Sequence, residues 1–210
     1  MTTLLILAAL SFLLSAWLLF RKKKRKSLER IVAIVHFTAL ALFVITVALL
    51  FQDRRFAGQY TNSVVAVVFL MSGIILFGAA TSRIIKVYSG FIAIPALLAE
   101  VSLLLGPTPI SFLALSVFLM FAPPRLKTKI NDSYNLEVRQ GGLMAPPNRF
   151  ALSQRNGLLD KEIPLSKSNE YFNEISGVEV VGFVEEEYVV CKIYGGKGNA
   201  FTIDTLQYEK

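Results

Sequence analysis

Apolar positions up to residue 122 fall in long, nearly unbroken runs, whereas beyond residue 130 they alternate with polar ones over short stretches. An apolar run of about 17–25 residues is the signature of a membrane-crossing helix, and period-two alternation that of a strand with one buried face. The pattern predicts spans at 3–20, 31–51, 64–81, 87–105 and 108–122, then a small all-β or β-rich antiparallel domain. The fold class is thus a membrane α-helical bundle of four or five helices (residues 1–129) followed by a β-rich domain (130–210).

The second span is the clearest, since His36 is its one ionisable group. In the third, Ala66, Gly73 and Ala80 recur seven apart, two helical turns, and form a narrow seam suited to packing inside the bundle. Ala8, Ser11 and Ser15 on the first helix read as the ordinary scatter of small residues in an apolar helix, with a seat for a neighbouring helix as the alternative. Pro95 removes a backbone donor from the fourth span and predicts a kink there. The fifth is the weakest, because Ile110 to Ala122 reaches membrane length only with its flanking prolines.

The β-rich half reads as strands at Tyr134–Val138, Arg149–Ser153, Leu158–Leu165, Val178–Glu185, Tyr188–Tyr194 and Ala200–Thr205. Arg155, Asn156 and Gly157 mark a hairpin turn with Gly157 at positive φ. Lys167 to Ile175 reads as a helical turn or a loop. Val189, Cys191 and Ile193 share one face of their strand, so Cys191 reads as a small buried apolar group rather than a nucleophile.

Charge adds direction to this layout. Residues 1–129 hold 14 basic and 3 acidic side chains, and residues 130–210 hold 8 basic and 12 acidic. The basicity belongs to the membrane flanks, and the folded domain is acidic, which excludes a nucleic-acid reader with its cations on the domain. Arg21, Lys22, Lys23, Lys24, Arg25 and Lys26 lie between two apolar runs, where such clusters mark the cytoplasmic side and contact anionic lipid headgroups. With five crossings and the N-terminus outside, the inner connections collect twelve cations against two outside, and the C-terminal domain falls in the cytoplasm. Without the fifth crossing the tally becomes nine to five.

Candidate chemistry is sparse. His36 and Glu100 are the ionisable groups within the better spans, and such groups are functional candidates because their burial is costly. Counted along their helices, one lies near the inner end and the other near the outer end, some 15 Å apart in depth, so a direct pair is not expected. The loop GGKGN at 195–199 lacks the Ser or Thr and the following helix of a phosphate loop, and reads as a turn. Glu185 to Glu187 read as a solvated hairpin tip. One histidine and one cysteine leave no zinc site or serine–histidine triad in the β-rich half, and no cofactor is implied.

These features describe a multi-pass inner- or plasma-membrane protein whose β-rich domain acts as a binding, scaffold or signalling subunit, with no enzymatic constellation. Its partners would be the bilayer and a protein or small ligand of residues 130–210, with oligomerisation open. The alternative is a transport or ligand-gated pore-forming, membrane-permeabilising role, with the β domain as sensor and His36 or Glu100 in the path.

Overall fold

The computed structural model describes residues 2–21, 26–58, 60–106, 108–110, 113, 117, 120–140, 148–166, 175–185, 187–195 and 201–208. Two compact units result, one of residues 1–47 and 63–121, the other of 48–62 and 122–210.

The first unit is built on four helices, α1 (Thr2–Phe20), α2 (Lys26–Leu50), α3 (Thr61–Ala79) and α4 (Arg83–Leu105). Three of them are long and apolar enough to cross a membrane, over Lys26–Leu50, Thr61–Ala79 and Arg83–Leu103, and α1 carries a shorter apolar stretch, Ile6–Phe20. Contacts fix their directions. Thr81 donates to Glu29, His36 meets Ser72, and Phe43 stacks on Phe69, so α2 and α3 are antiparallel. A β-carbon at Gly73 would meet Ile92 at 2.9 Å and one at Gly90 would meet Phe77 at 3.5 Å, which makes α4 antiparallel to α3 as well. Ser11 reaches Met71, and a β-carbon at Gly78 would fall 2.2 Å from the Ser15 carbonyl oxygen, so α1 runs parallel to α3. The small residues of α1 therefore seat α3, in the manner of small-residue helix contacts. Hydroxyls inside the helices close on their own backbone, as Thr46 does on Leu42 at 2.8 Å and Ser89 on Ile85 at 2.7 Å. Helix α4 continues through Pro95 to Leu105 and ends at Gly106, whose φ is 117°.

The stretch expected as a fifth crossing is different. Pro109, Ile110, Leu113, Val117, Met120 and Phe121 are helical. At its start Thr108 bonds to Ser102, near the end of α4. At its finish Phe121 accepts a bond from Ser63 at the beginning of α3 and lies 5.3 Å, ring to ring, from Phe43 in the second half of α2. Since α4 and α3 are antiparallel, both ends of the stretch sit at one end of the bundle. Of the crossing expected at 108–122, residues 111–112, 114–116 and 118–119 lie outside the described residues.

The second unit is an antiparallel sheet in the order β2-β3-β4-β5-β8-β7-β6, formed by β2 (Leu126–Lys129), β3 (Tyr134–Gln140), β4 (Asn148–Asn156), β5 (Leu159–Ser166), β6 (Ile175–Val184), β7 (Tyr188–Gly195) and β8 (Phe201–Tyr208). The sheet curls nearly into a barrel, since Thr128 on β2 donates to the Val178 carbonyl on β6 at 3.1 Å. Alternation fills its interior: Tyr134, Leu136, Val138, Phe150, Leu152, Leu165, Ile175, Val189, Cys191, Ile193 and Leu206 form one apolar core. Asn156 and Leu159 pair across a two-residue loop whose glycine, Gly157, has φ 64°, a backbone region that favours glycine. The expected features at 195–199 and 167–175 fall, apart from Ile175 and Gly195, outside the described residues.

An eighth strand comes from elsewhere in the chain. Gln52 to Asn62 reads in the sequence as a plain connection on the far side of the membrane from the β-rich domain, yet β1 (Arg54–Phe56) lies in it and pairs with β5. Arg54 opposes Lys161, Arg55 opposes Asp160 and Phe56 opposes Leu159. Flanking bonds from Glu162 to the Asp53 carbonyl (2.7 Å) and from Ala57 to the Leu158 carbonyl (2.8 Å) extend the ladder. On β5, β8 pairs with Leu165 and Ser166, and β1 pairs along the first half of that same edge. Hydrogen-bonded strands occupy one side of any bilayer, so the two opposite placements exclude each other.

Candidate functional site

Two polar constellations stand out, one in each unit. In the helical unit His36 is fully buried. Its Nδ1 lies 3.0 Å from Ser72 Oγ and its Nε2 2.9 Å from the Tyr88 hydroxyl. Ser72 in turn donates to the Phe69 carbonyl at 3.1 Å. With that proton committed, Ser72 accepts from Nδ1–H, and the Tyr88 hydroxyl is placed to donate to Nε2. One ring thereby ties α2, α3 and α4, and it stacks on Phe69 at 5.2 Å with its edge toward Phe37. Every nitrogen is satisfied within the protein, as a buried polar group requires.

Glu100 is not among the partners of His36; it lies on α4, half-buried, twelve positions after Tyr88. The structure therefore does not bring the two intramembrane candidates together. Of the basic cluster, Arg21 lies over the Trp17 ring at 5.1 Å, and Lys26 is exposed as the first residue of α2. Lys22, Lys23, Lys24 and Arg25 lie outside the described residues.

The second constellation occupies the face of the sheet turned away from the apolar core. Strand alternation places Lys127 on β2, Glu137 and Arg139 on β3, Asp160 and Glu162 on β5, and Arg55 on β1 together. Arg55 Nε is 2.7 Å from Glu162 Oε2, and Lys127 Nζ is 3.0 Å from Glu137 Oε1 and 3.9 Å from Asp160. Arg139 pairs with Glu137 and lies 3.6 Å from Glu162, a charge contact too long for a hydrogen bond. Three cations balance three carboxylates, and Glu137 and Glu162 are 3% and 8% exposed, so the charges depend on one another rather than on water. Burial, and next the charge of Arg139, lower the Arg55 pKa from its ordinary value, while Glu162 and Glu137 oppose that shift. The cluster is a latch that holds β1 to the sheet.

This network escaped the sequence reading, although alternating charge at Glu137–Arg139 and Asp160–Glu162 hinted at a charged strand face. What sequence does not carry is the register that opposes Lys127 to Glu137, or the arrival of Arg55 from a distant connection. Nearby, the Ser153 hydroxyl is buried without a hydrogen-bond partner among the described residues, opposite Glu162 in the register.

Cys191 is fully buried, and burial, together with the Asp204 carboxylate opposite it, pushes its thiol up to about 12. A thiol so held is inert toward electrophiles. Glu185 accepts a bond from the Tyr134 hydroxyl at 2.5 Å, and Gln154 donates to that hydroxyl at 2.8 Å, so this carboxylate at the hairpin tip anchors an aromatic ring. Among the described residues no three of His, Cys, Asp and Glu converge as a metal ion would need. No family model, curated protein or solved structure matches the chain.

Proposed function

We propose that the chain is an integral membrane protein whose β-rich unit acts as a binding, scaffold or signalling subunit, with Arg21–Lys26 holding anionic headgroups. The membrane reading is supported by apolar side chains turned outward on the long helices: Ile34, Val44, Phe91 and Ile94 are 61%, 57%, 76% and 56% exposed. Water would penalise so large an apolar surface, and lipid would not. The observation that carries the functional reading is β1. Because this strand sits between α2 and α3 and is latched to β5, force or ligand binding on the sheet reaches two membrane helices through backbone hydrogen bonds. A freely tethered domain would transmit nothing.

The outer face of β7 and β8 supplies a surface for recognition. Tyr194 lies opposite Phe201 and Lys192 opposite Ile203, with Phe201 and Ile203 52% and 58% exposed. Exposed aromatic side chains are enriched at binding patches.

Reconstitution in liposomes tests the reading. Ion leak no greater than that of empty vesicles is expected. A leak that Glu100→Gln or His36→Ala abolishes would replace it with a transport or pore-forming role.

A further inference from the structure

We infer that the β-rich unit lies on the face of the membrane opposite the Arg21–Lys26 cluster, outside the cytoplasm. A single helix, α2, separates that cluster from β1, and α2 is one of the three helices long and apolar enough to cross a membrane. Once α2 crosses, β1 is on the other face. β1 is hydrogen-bonded to β5, and strands cannot pair across about 30 Å of hydrocarbon, so the rest of the sheet is on that face too.

The remaining helices agree. α3 returns and α4 crosses again, which brings Leu105 to the face that carries β1. The stretch from Thr108 to Phe121 then begins and ends at that same level, bonded to Ser102 at one end and to Ser63 at the other, and delivers the chain to β2 without a further crossing. The cytoplasmic placement depended on a fifth crossing, and it reverses when that crossing is removed.

Cations decide which face is which. Arg21–Lys26, Arg30, Arg83 and Lys86 lie on one face, nine in all, against Arg54, Arg55, Arg125, Lys127 and Lys129 on the other. Of those five, Arg55, Lys127 and Lys129 are ion-paired within the β-rich unit. Folded domains also translocate largely regardless of their charge, whereas short connections follow the positive-inside rule. Nine therefore mark the cytoplasm. A lone cysteine suits the outer compartment when it is buried and protonated, as Cys191 is, because it offers no thiolate to oxidants. Under the binding reading, the ligand or partner of the sheet is one met outside the cytoplasm; the placement itself stands without that reading.

Labelling of the full chain in intact, right-side-out bacterial cells tests the placement, with a membrane-impermeant maleimide and two single substitutions at exposed positions, Ser27→Cys and Asp132→Cys. The unsubstituted protein, its Cys191 buried, is the control and stays unlabelled. Asp132→Cys is expected to react in intact cells and Ser27→Cys only after permeabilisation. The reverse pattern overturns the sidedness, and equal behaviour of the two sites overturns their separation by α2. Neither readout depends on ligand binding, so failure of the binding reading leaves it intact.

Discussion

Arg55 places its Nε 2.7 Å from Oε2 of Glu162, joining the connection between two apolar helices to the middle of a sheet more than a hundred residues further on. Both side chains are largely shielded, so neither is compensated by water when the other is lost. Replacing Arg55 by Ala should cost about 1.5–3 kcal/mol, the range for hydrogen bonds to charged groups. Replacing Arg55 by Met and Glu162 by Leu together should cost less than the single changes summed, because the pair leaves no stranded charge. Thermal unfolding of wild type, Arg55→Ala, Arg55→Met, Glu162→Leu and the double variant in detergent measures the difference.

Cys191 should be silent toward aromatic disulfide reagents in the native protein and react once denaturant unfolds it. Its pH effect has a definite sign. The unfolded thiol ionises near its ordinary value of 9.0 while the folded one holds its proton to about 12, so the unfolded state alone loses a proton between them. Stability is then full below the lower value and falls as pH rises through the interval. Cys191→Ala, which removes the ionising proton without adding bulk at this buried site, should flatten the decline between pH 8 and 10.5 relative to wild type in denaturant melts.

Gly78 and Gly73 should respond unequally to alanine. A β-carbon at Gly78 would fall 2.2 Å from the Ser15 carbonyl oxygen, which is backbone and moves only with its helix. At Gly73 the nearest atom is Ile92 Cγ2 at 2.9 Å, on a side chain that can rotate. Gly78→Ala should cost about 1–3 kcal/mol, the range for overpacking, and Gly73→Ala less. Detergent unfolding midpoints rank the two.

Tyr88→Phe removes the donor to His36 Nε2 and leaves the ring in place. Hydrogen bonds between membrane helices are worth about 0.6 kcal/mol and up to about 1.7, which sets the expected loss. His36→Ala should cost more, since it also releases Ser72 and empties the contact with Phe69.

Much of this architecture was legible because it is written in periodicity. Long apolar runs placed α2, α3 and α4, and alternation placed β3 to β8, including the turn at Gly157 and the inward face of Val189, Cys191 and Ile193. What periodicity does not encode is pairing between distant segments. Arg54–Phe56 is three residues long, too short to alternate visibly, and becomes a strand only because β5 offers an open edge. Lys127 and Lys129 looked like a membrane flank and belong to β2. The His36 cluster was half visible: the histidine announced itself by its cost, whereas Ser72 and Tyr88 are ordinary residues until three helices bring them to it.

Arg54 and Lys161 test the central relationship most directly. They oppose each other between the hydrogen-bonded positions Asp53–Glu162 and Arg55–Asp160, at the kind of site where α-carbons approach to about 4.5 Å, within disulfide range. Full-length protein carrying Arg54→Cys and Lys161→Cys should be recovered from cells already cross-linked, without added oxidant, because the pair forms in an oxidising compartment. Thiols that stay free even after an oxidant is supplied would contradict the pairing of β1 with β5. A cross-link that appears only with added oxidant would return the sheet to the cytoplasm.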